Sequence, residues 1–174
     1  MSGLKELKNR IGSVKSTQKI TKAKQMVAAA KLRRAQEAAE ASKPYASRMA
    51  NVVANLTASM GDGSGGPKLL AGSGDDKVHL LVVMTAERGL CGGFNANTAK
   101  AARLKIQELR AEGKTVKIIT VGKKGREVLK HAYADLFIDH VDLSDAKDKF
   151  TPFAIGLGLD LTNRCEDGEF DVAT

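Results

Sequence analysis

The 174-residue chain predicts an α/β protein in two parts, a long N-terminal coiled-coil helix followed by a mostly parallel α/β domain. Three observations predict it. Residues 3 to 42 contain no proline and, after Gly12, no glycine, and they carry a helical apolar seam. Residues 61 to 77 break that pattern with six glycines and a proline. Beyond them, short apolar runs alternate with amphipathic stretches, as strands alternate with helices.

The helix comes first. Ala, Lys, Leu, Gln, Glu and Arg dominate residues 3 to 42, and all are good helix formers. Leu4, Leu7, Ile11 and Val14 follow 3-4-3 spacing, and Ile20, Ala23, Val27 and Ala30 repeat it after a phase slip across residues 16 to 19. That is a coiled-coil seam with a stutter. Forty residues at 1.5 Å each make a rod of roughly 60 Å. Pro44 is expected to kink or interrupt it. A second amphipathic stretch then places Met49, Val52, Val53, Leu56 and Met60 on one face. The seam is narrow and flanked by Ala28, Ala29, Ala30, Ala35, Ala38 and Ala39, which suits close approach of another helix. A rod like this is not held by propensity alone. The rest of the chain offers no second rod of that length, so the partner helix must come from another chain or from sequence absent here.

The expected divisions are residues 1–60 for the coiled-coil helix, 61–77 for a flexible linker and 78–174 for the α/β domain. Val78 to Thr85 is a continuous apolar run with the character of a buried parallel strand. A glycine-rich turn, Arg88 to Phe94, leads to a helix from about Asn97 to Ala111, closed by Gly113 as the residue past its end. Thr115 to Val121 reads as a second strand, Gly125 to His131 as a helix, and Phe137 to Val141 as a short third strand. Phe153 to Cys165 reads as a helix, and another strand begins at Glu169. This order implies a Rossmann-like, mostly parallel sheet. The chain stops inside that last strand pattern with no closing helix, so a fragment of a longer protein is expected.

Composition narrows the function. Hydrophobic residues make up 43%, too many for a disordered chain, while aromatics are 4% and Trp is absent, so the core must be aliphatic. No apolar run approaches the roughly 20 residues of a membrane span, and the N-terminal ten residues lack the apolar centre of a signal peptide. Cys91 and Cys165 have no CxxC or Cys/His spacing, which argues against zinc and a disulfide framework and fits a reducing compartment. The net charge of +8 is unevenly spread: residues 1 to 50 hold twelve Lys/Arg against three Glu, a balance of +9, and the remainder is nearly neutral. A basic arm of this kind wants an acidic or phosphate-bearing partner.

No motif points firmly to catalysis. The loop from Glu87 to Asn95 lies between a strand and a helix, where phosphate loops occur, but GLCGGF does not match GxGxxG, and GxxxxGK[ST] is absent. It reads as a tight turn needing positive φ at Gly89, Gly92 or Gly93. Gly122-Lys123-Lys124-Gly125 could hold a phosphate through lysines and amides; an exposed basic turn is the plainer reading. Cys91 sits near a helix N-terminus, but His79, His131 and His140 lie elsewhere in the sequence, so no nucleophile pair forms. His140 with Asp139 and Asp142 is too sparse for a metal site. No cofactor and no metal are expected.

Two stretches carry a resemblance. Ile11 to Gln36, IGSVKSTQKITKAKQMVAAAKLRRAQ, closely resembles the N-terminal helix of gamma subunits of F-type ATP synthases. Arg88 to Asn95, RGLCGGFN, resembles that family's loop after the first strand of its globular domain. The resemblance implies that the helix pairs with a C-terminal helix and turns inside a ring of α and β subunits, with the epsilon subunit alongside and the membrane c ring beneath. It implies a non-catalytic rotor coupling proton-driven rotation to ATP synthesis in the β subunits, peripheral to the cytoplasmic face of a bacterial inner membrane. Lys19, Lys22, Lys24, Lys31, Arg33 and Arg34 would face acidic β loops, and Arg88, Cys91 and Asn95 would lie near the same loops. Lys24 departs from the family's usual Met, and the dithiol insertion of chloroplast forms is absent. The alternative is a nucleic-acid-binding protein using the basic arm on phosphates. It predicts aromatic or amide readout residues and no seam, whereas the arm has one aromatic, Tyr45, and a clear seam.

Overall fold

The computed structural model describes residues 2–60, 66–144 and 150–174. The chain divides into two compact units, Met1–Ser59 and Met60–Thr174. In the first, α1 runs unbroken from Ser2 to Met60, about 90 Å at 1.5 Å per residue. Pro44 lies inside it, so the expected interruption does not occur. Proline removes one N–H, the one that would reach the Glu40 carbonyl, and its cost of about 3 kcal/mol falls on a single turn. That turn is exposed on all sides, so water can reach the orphaned carbonyl. Ser42 Oγ donates to the neighbouring Ala39 carbonyl at 2.9 Å. Long runs of strong helix formers on both sides keep the helix continuous.

The second unit is a four-stranded sheet of order β3-β2-β1-β4, with β1 Val78–Met84, β2 Thr115–Val121, β3 Phe137–Val141 and β4 Val172–Ala173, every pairing parallel. β1 and β2 pair from Val78↔Thr115 to Met84↔Val121 without a slip. The helices are α2 Lys68–Ala71, α3 Phe94–Ala111, α4 Lys123–Tyr133 and α5 Phe150–Glu166. Alternate strand residues face opposite sides. Leu81, Val83, Val116 and Ile118 pack with Ile106 and Leu109 of α3 and Leu129 of α4. Leu80 and Ile119 pack on the other face with Cys165 of α5 and with Phe170. The aliphatic core expected from composition is thus split by the sheet, with Phe170 its largest fully buried side chain.

Several boundaries differ from the sequence reading. α3 starts at Phe94, three residues early, because Gly93 and not a later residue ends the loop. Gly113 closes α3 at φ 76°, with Gly113 N–H on the Arg110 carbonyl and Lys114 N–H on the Leu109 carbonyl. Those paired bonds are the Schellman arrangement, which needs a left-handed residue there. α4 begins at Lys123, and β4 is only two residues long. The expected linker is partly structured. Residues 61–65 lie outside the described residues, but Lys68–Ala71 form a short helix whose Lys68 Nζ donates to the Glu166 carbonyl at 2.6 Å. Asp171 closes the connection, accepting from Ser73 Oγ at 3.0 Å and from the Lys77 and Val78 amides at 2.9 Å each. The glycine-rich composition hid these polar anchors, which lie over ninety residues away in sequence.

Candidate functional site

The helix supplies the first group of candidate residues. Lys19, Lys22, Lys24, Lys31, Arg33 and Arg34 all lie exposed on α1. At roughly 100° per residue they do not share a face: Lys19, Lys22 and Arg33 cluster, while Lys24 and Lys31 lie on another side. Arg33 is engaged locally, its Nε 2.9 Å from Glu37 one turn on. Exposed pairs of this kind are weak and screened by salt. The apolar residues Leu4, Leu7, Ile11 and Val14 of α1 are more than half exposed along one face, and Ile20 and Val27 are equally so on nearly the opposite side, beside Lys24 and Lys31.

The second group forms a compact loop at the C-terminal end of β1, the edge of a parallel sheet where ligands and partners are met. Asn95 joins its members: Oδ1 accepts from the Ala86 amide at 3.0 Å, and Nδ2 donates to Cys91 Sγ at 3.1 Å. Cys91 and Arg88 are exposed. Of the glycines expected at positive φ, Gly92 takes it at 60°. Leu90 also takes it, at 63°, and stands fully exposed at the tip. A branched residue in the left-handed region costs roughly 1–2 kcal/mol, so the loop holds it there by its surrounding bonds.

Sequence reasoning missed the residues that set this loop. Thr85 Oγ1 bonds to the carbonyls of Val121 and Gly122 and accepts from the Gly125 amide at 2.8 Å. Glu87 Oε2 accepts from the amides of Lys123 and Leu143, both at 3.2 Å, linking the loops after three strands. Their position just past β1 was the available signal. These bonds also settle the phosphate-cradle reading of Gly122–Gly125. The Gly122 amide goes to Val141, Lys123 to Glu87, Lys124 to Ala86 and Gly125 to Thr85, so none of the four is free to cradle a phosphate. Among the described residues, no group of three or more His, Cys, Asp or Glu side chains has a metal-holding arrangement. His140 is committed instead to Thr120, with Nδ1 2.9 Å from Oγ1.

A long exposed helix and a parallel sheet whose strand-end loops are tied together by hydrogen bonds define a two-part α/β protein. A family model described as ATP synthase matches residues 3–174, and the chain belongs to that family. It is 66% identical over its whole length to an ATP synthase gamma chain from Hyphomonas neptunium, 64% to one from a Ruegeria species and 63% to one from Paracoccus denitrificans. The chain spans 59% to 60% of the length of these relatives. A chain of the cryo-EM structure of the Euglena gracilis mitochondrial ATP synthase (OSCP, F1 and c ring, rotational state 3) overlaps 50% of this chain and 26% of its own at TM-score 0.35 and 23% identity, too slight a likeness to bear on the fold. No helix among the described residues is long and apolar enough to cross a membrane.

Proposed function

We propose that this chain is the central-stalk part of an F-type ATP synthase rotor, coupling proton-driven rotation of the c ring to ATP synthesis in the β subunits without catalysing it. The observation that carries this reading is the match to gamma chains across the entire sequence, rod included, at 66% identity. The exposed apolar face of α1 supports it, since a second helix laid along Leu4, Leu7, Ile11 and Val14 would begin a two-helix shaft. The girdle of Lys19, Lys22, Lys24, Lys31, Arg33 and Arg34 meets acidic β loops through screened contacts that let the shaft slip past. Arg88, Cys91 and Asn95 form a second contact with the same subunits. The epsilon subunit and c ring hold the α/β unit, and the assembly sits peripherally at the cytoplasmic face of a bacterial plasma membrane.

Rotation itself is the test. The full-length chain carrying Cys91→Ser and Lys100→Cys is biotinylated at position 100 on exposed α3 and assembled with immobilised α and β subunits. A bead attached there turns in one direction when ATP is supplied. A bead that stays still while the complex hydrolyses ATP at the normal rate removes the rotor reading.

A further inference from the structure

The turn after β2 leads onto a face of α4 that is separate from the basic residues of α1 and from the loop after β1. Lys123, Arg126 and Lys130 stand at i, i+3 and i+7, which gathers three cations on one side of the helix. With Glu127, His140 and Asp142 they line an open cavity of about 430 Å³. Among the described residues none of these three cations has an ion-pair partner, whereas neighbouring Lys124 is paired with Glu127 at 2.6 Å. The second carboxylate of the cavity, Asp142, accepts the Ser144 amide at 2.7 Å.

Both carboxylates feel the surplus charge. Glu127 is held below the usual carboxylate range by its hydrogen bond to Lys124, and further by the charges of Lys124, Lys123 and Lys130. Asp142 is lowered by its bonds from Ser144 and then by His140 and Lys123. Three cations therefore line the cavity with two carboxylates that are already engaged, Glu127 by Lys124 and Asp142 by Ser144. His140 forms part of the wall, its Nδ1 used by Thr120 and its Nε2 without a partner among the described residues.

We infer that this cavity binds a phosphate-type anion through Lys123, Arg126 and Lys130. The guanidinium offers a paired, planar set of donors to two phosphate oxygens, and the flanking ammonium groups add charge from either side. The amides at the start of α4 take no part, because Glu87, Ala86 and Thr85 already occupy them. Binding therefore rests on side chains alone, is shallow and weakens with salt. The cavity is larger than a single phosphate needs, which leaves two sources for the group: a free anion such as pyrophosphate, or the headgroup of an anionic phospholipid.

Lysine footprinting tests it in the assembled complex containing the full-length chain. A limiting amine acylation is read by mass spectrometry at Lys123 and Lys130, with exposed Lys100 of α3 as the internal reference. The arms are pyrophosphate, phosphatidylglycerol vesicles and phosphatidylcholine vesicles, each at ionic strength matched with chloride. A bound anion slows Lys123 and Lys130 at least about threefold relative to Lys100, and Arg126→Gln or Lys130→Gln abolishes the slowing at the lysines that remain. Protection by pyrophosphate alone assigns a free anion, and protection by phosphatidylglycerol but not phosphatidylcholine assigns a headgroup. Equal slowing at Lys100, slowing that survives both variants, or no slowing leaves a plain solvated face and overturns the site. Lysines already silent before any anion is added mean that a protein covers this face, which overturns it as well.

Discussion

The two units carry apolar residues of the same kinds and use them in opposite ways. In the α/β unit, Leu80, Ile106, Ile118, Ile119 and Leu129 are fully buried. On α1, Leu4, Ile11, Ile20 and Val27 are each more than half exposed. Periodicity wrote both sets with equal clarity, yet only the first finds its partners within the same unit. A helix that leaves side chains worth roughly 1.5–3 kcal/mol each in water holds that stabilisation in reserve for a second helix. Folding of the α/β unit and completion of the rod are therefore separable, and substitutions can separate them.

The largest expected effect is at the junction of β1 and β2. Gly122 has φ 85°, and a Cβ there would lie 2.1 Å from the Thr85 carbonyl oxygen. Gly122→Ala combines a left-handed alanine with overpacking against backbone and costs about 3–5 kcal/mol. Leu129→Ala, emptying a fully buried site under α4, costs about 3 kcal/mol. The matching change on the rod, Ile20→Ala, costs less than about 0.5 kcal/mol in the isolated full-length chain if no second helix lies on it. Urea unfolding followed at the α/β unit reads the first two, and unfolding followed by helical circular dichroism reads Ile20→Ala. A loss at Ile20 as large as that at Leu129 would mean that the stripe is already covered within one chain.

What was legible in the sequence follows from the range of the interactions. β2 and β3 are legible to the residue, and β1 to within one, because β1 is a nearly continuous apolar run and β2 and β3 are short stretches rich in β-branched or aromatic residues, all bounded by turn residues. Gly113 was read because a helix end is a local event. Pro44 does not interrupt α1, because strong helix formers flank it and water serves the orphaned carbonyl of an exposed turn, which its own residue type does not reveal. The anchors of residues 66–77 escaped because Asp171 and Glu166 are distant in sequence. At the candidate site, the loop was found from its glycines and its resemblance. Leu90 at positive φ was not, since nothing local distinguishes a leucine held in the left-handed region by its neighbours. Glu87 was invisible as the link between three loops because its bonds reach Lys123 and Leu143.

A smaller change inverts the sign of the first. Gly12 lies inside α1 with open space where a Cβ would go. Gly12→Ala therefore stabilises the helix by about 1 kcal/mol, where the same substitution at Gly122 destabilises the α/β unit. Helical circular dichroism of the full-length chain should rise in Gly12→Ala and melt later. Unchanged ellipticity would place a constraint on Gly12 that its empty surroundings do not reveal.

Smaller again is the pH dependence of the clasp at Asp171. The amides of Val78 and then Lys77 hold its carboxyl below the usual range. A depressed folded value means that the contribution is complete above the unfolded carboxylate range, near pH 4, and is lost as pH falls through the folded value. Between pH 7 and pH 5 the clasp should be constant. Below pH 4 the urea midpoint of the native chain should fall faster than that of Asp171→Asn. Parallel curves for the two would show that the carboxylate adds nothing beyond what an amide supplies.

The last prediction changes stability least and brings the comparison to the candidate loop. Cys91 is exposed and Cys165 is buried, with burial pushing the Cys165 thiol up. A maleimide should label Cys91 in the folded full-length chain and reach Cys165 only after unfolding. Cys91 lies in the same loop as fully exposed Leu90 and half-exposed Phe94, an apolar tip that solvent does not favour. If β subunits cover that tip, labelling of Cys91 slows on assembly by at least about tenfold, while an introduced thiol at exposed Lys100 keeps its rate. Equal rates before and after assembly would leave the loop in solvent and remove Arg88, Cys91 and Asn95 from the proposed contact.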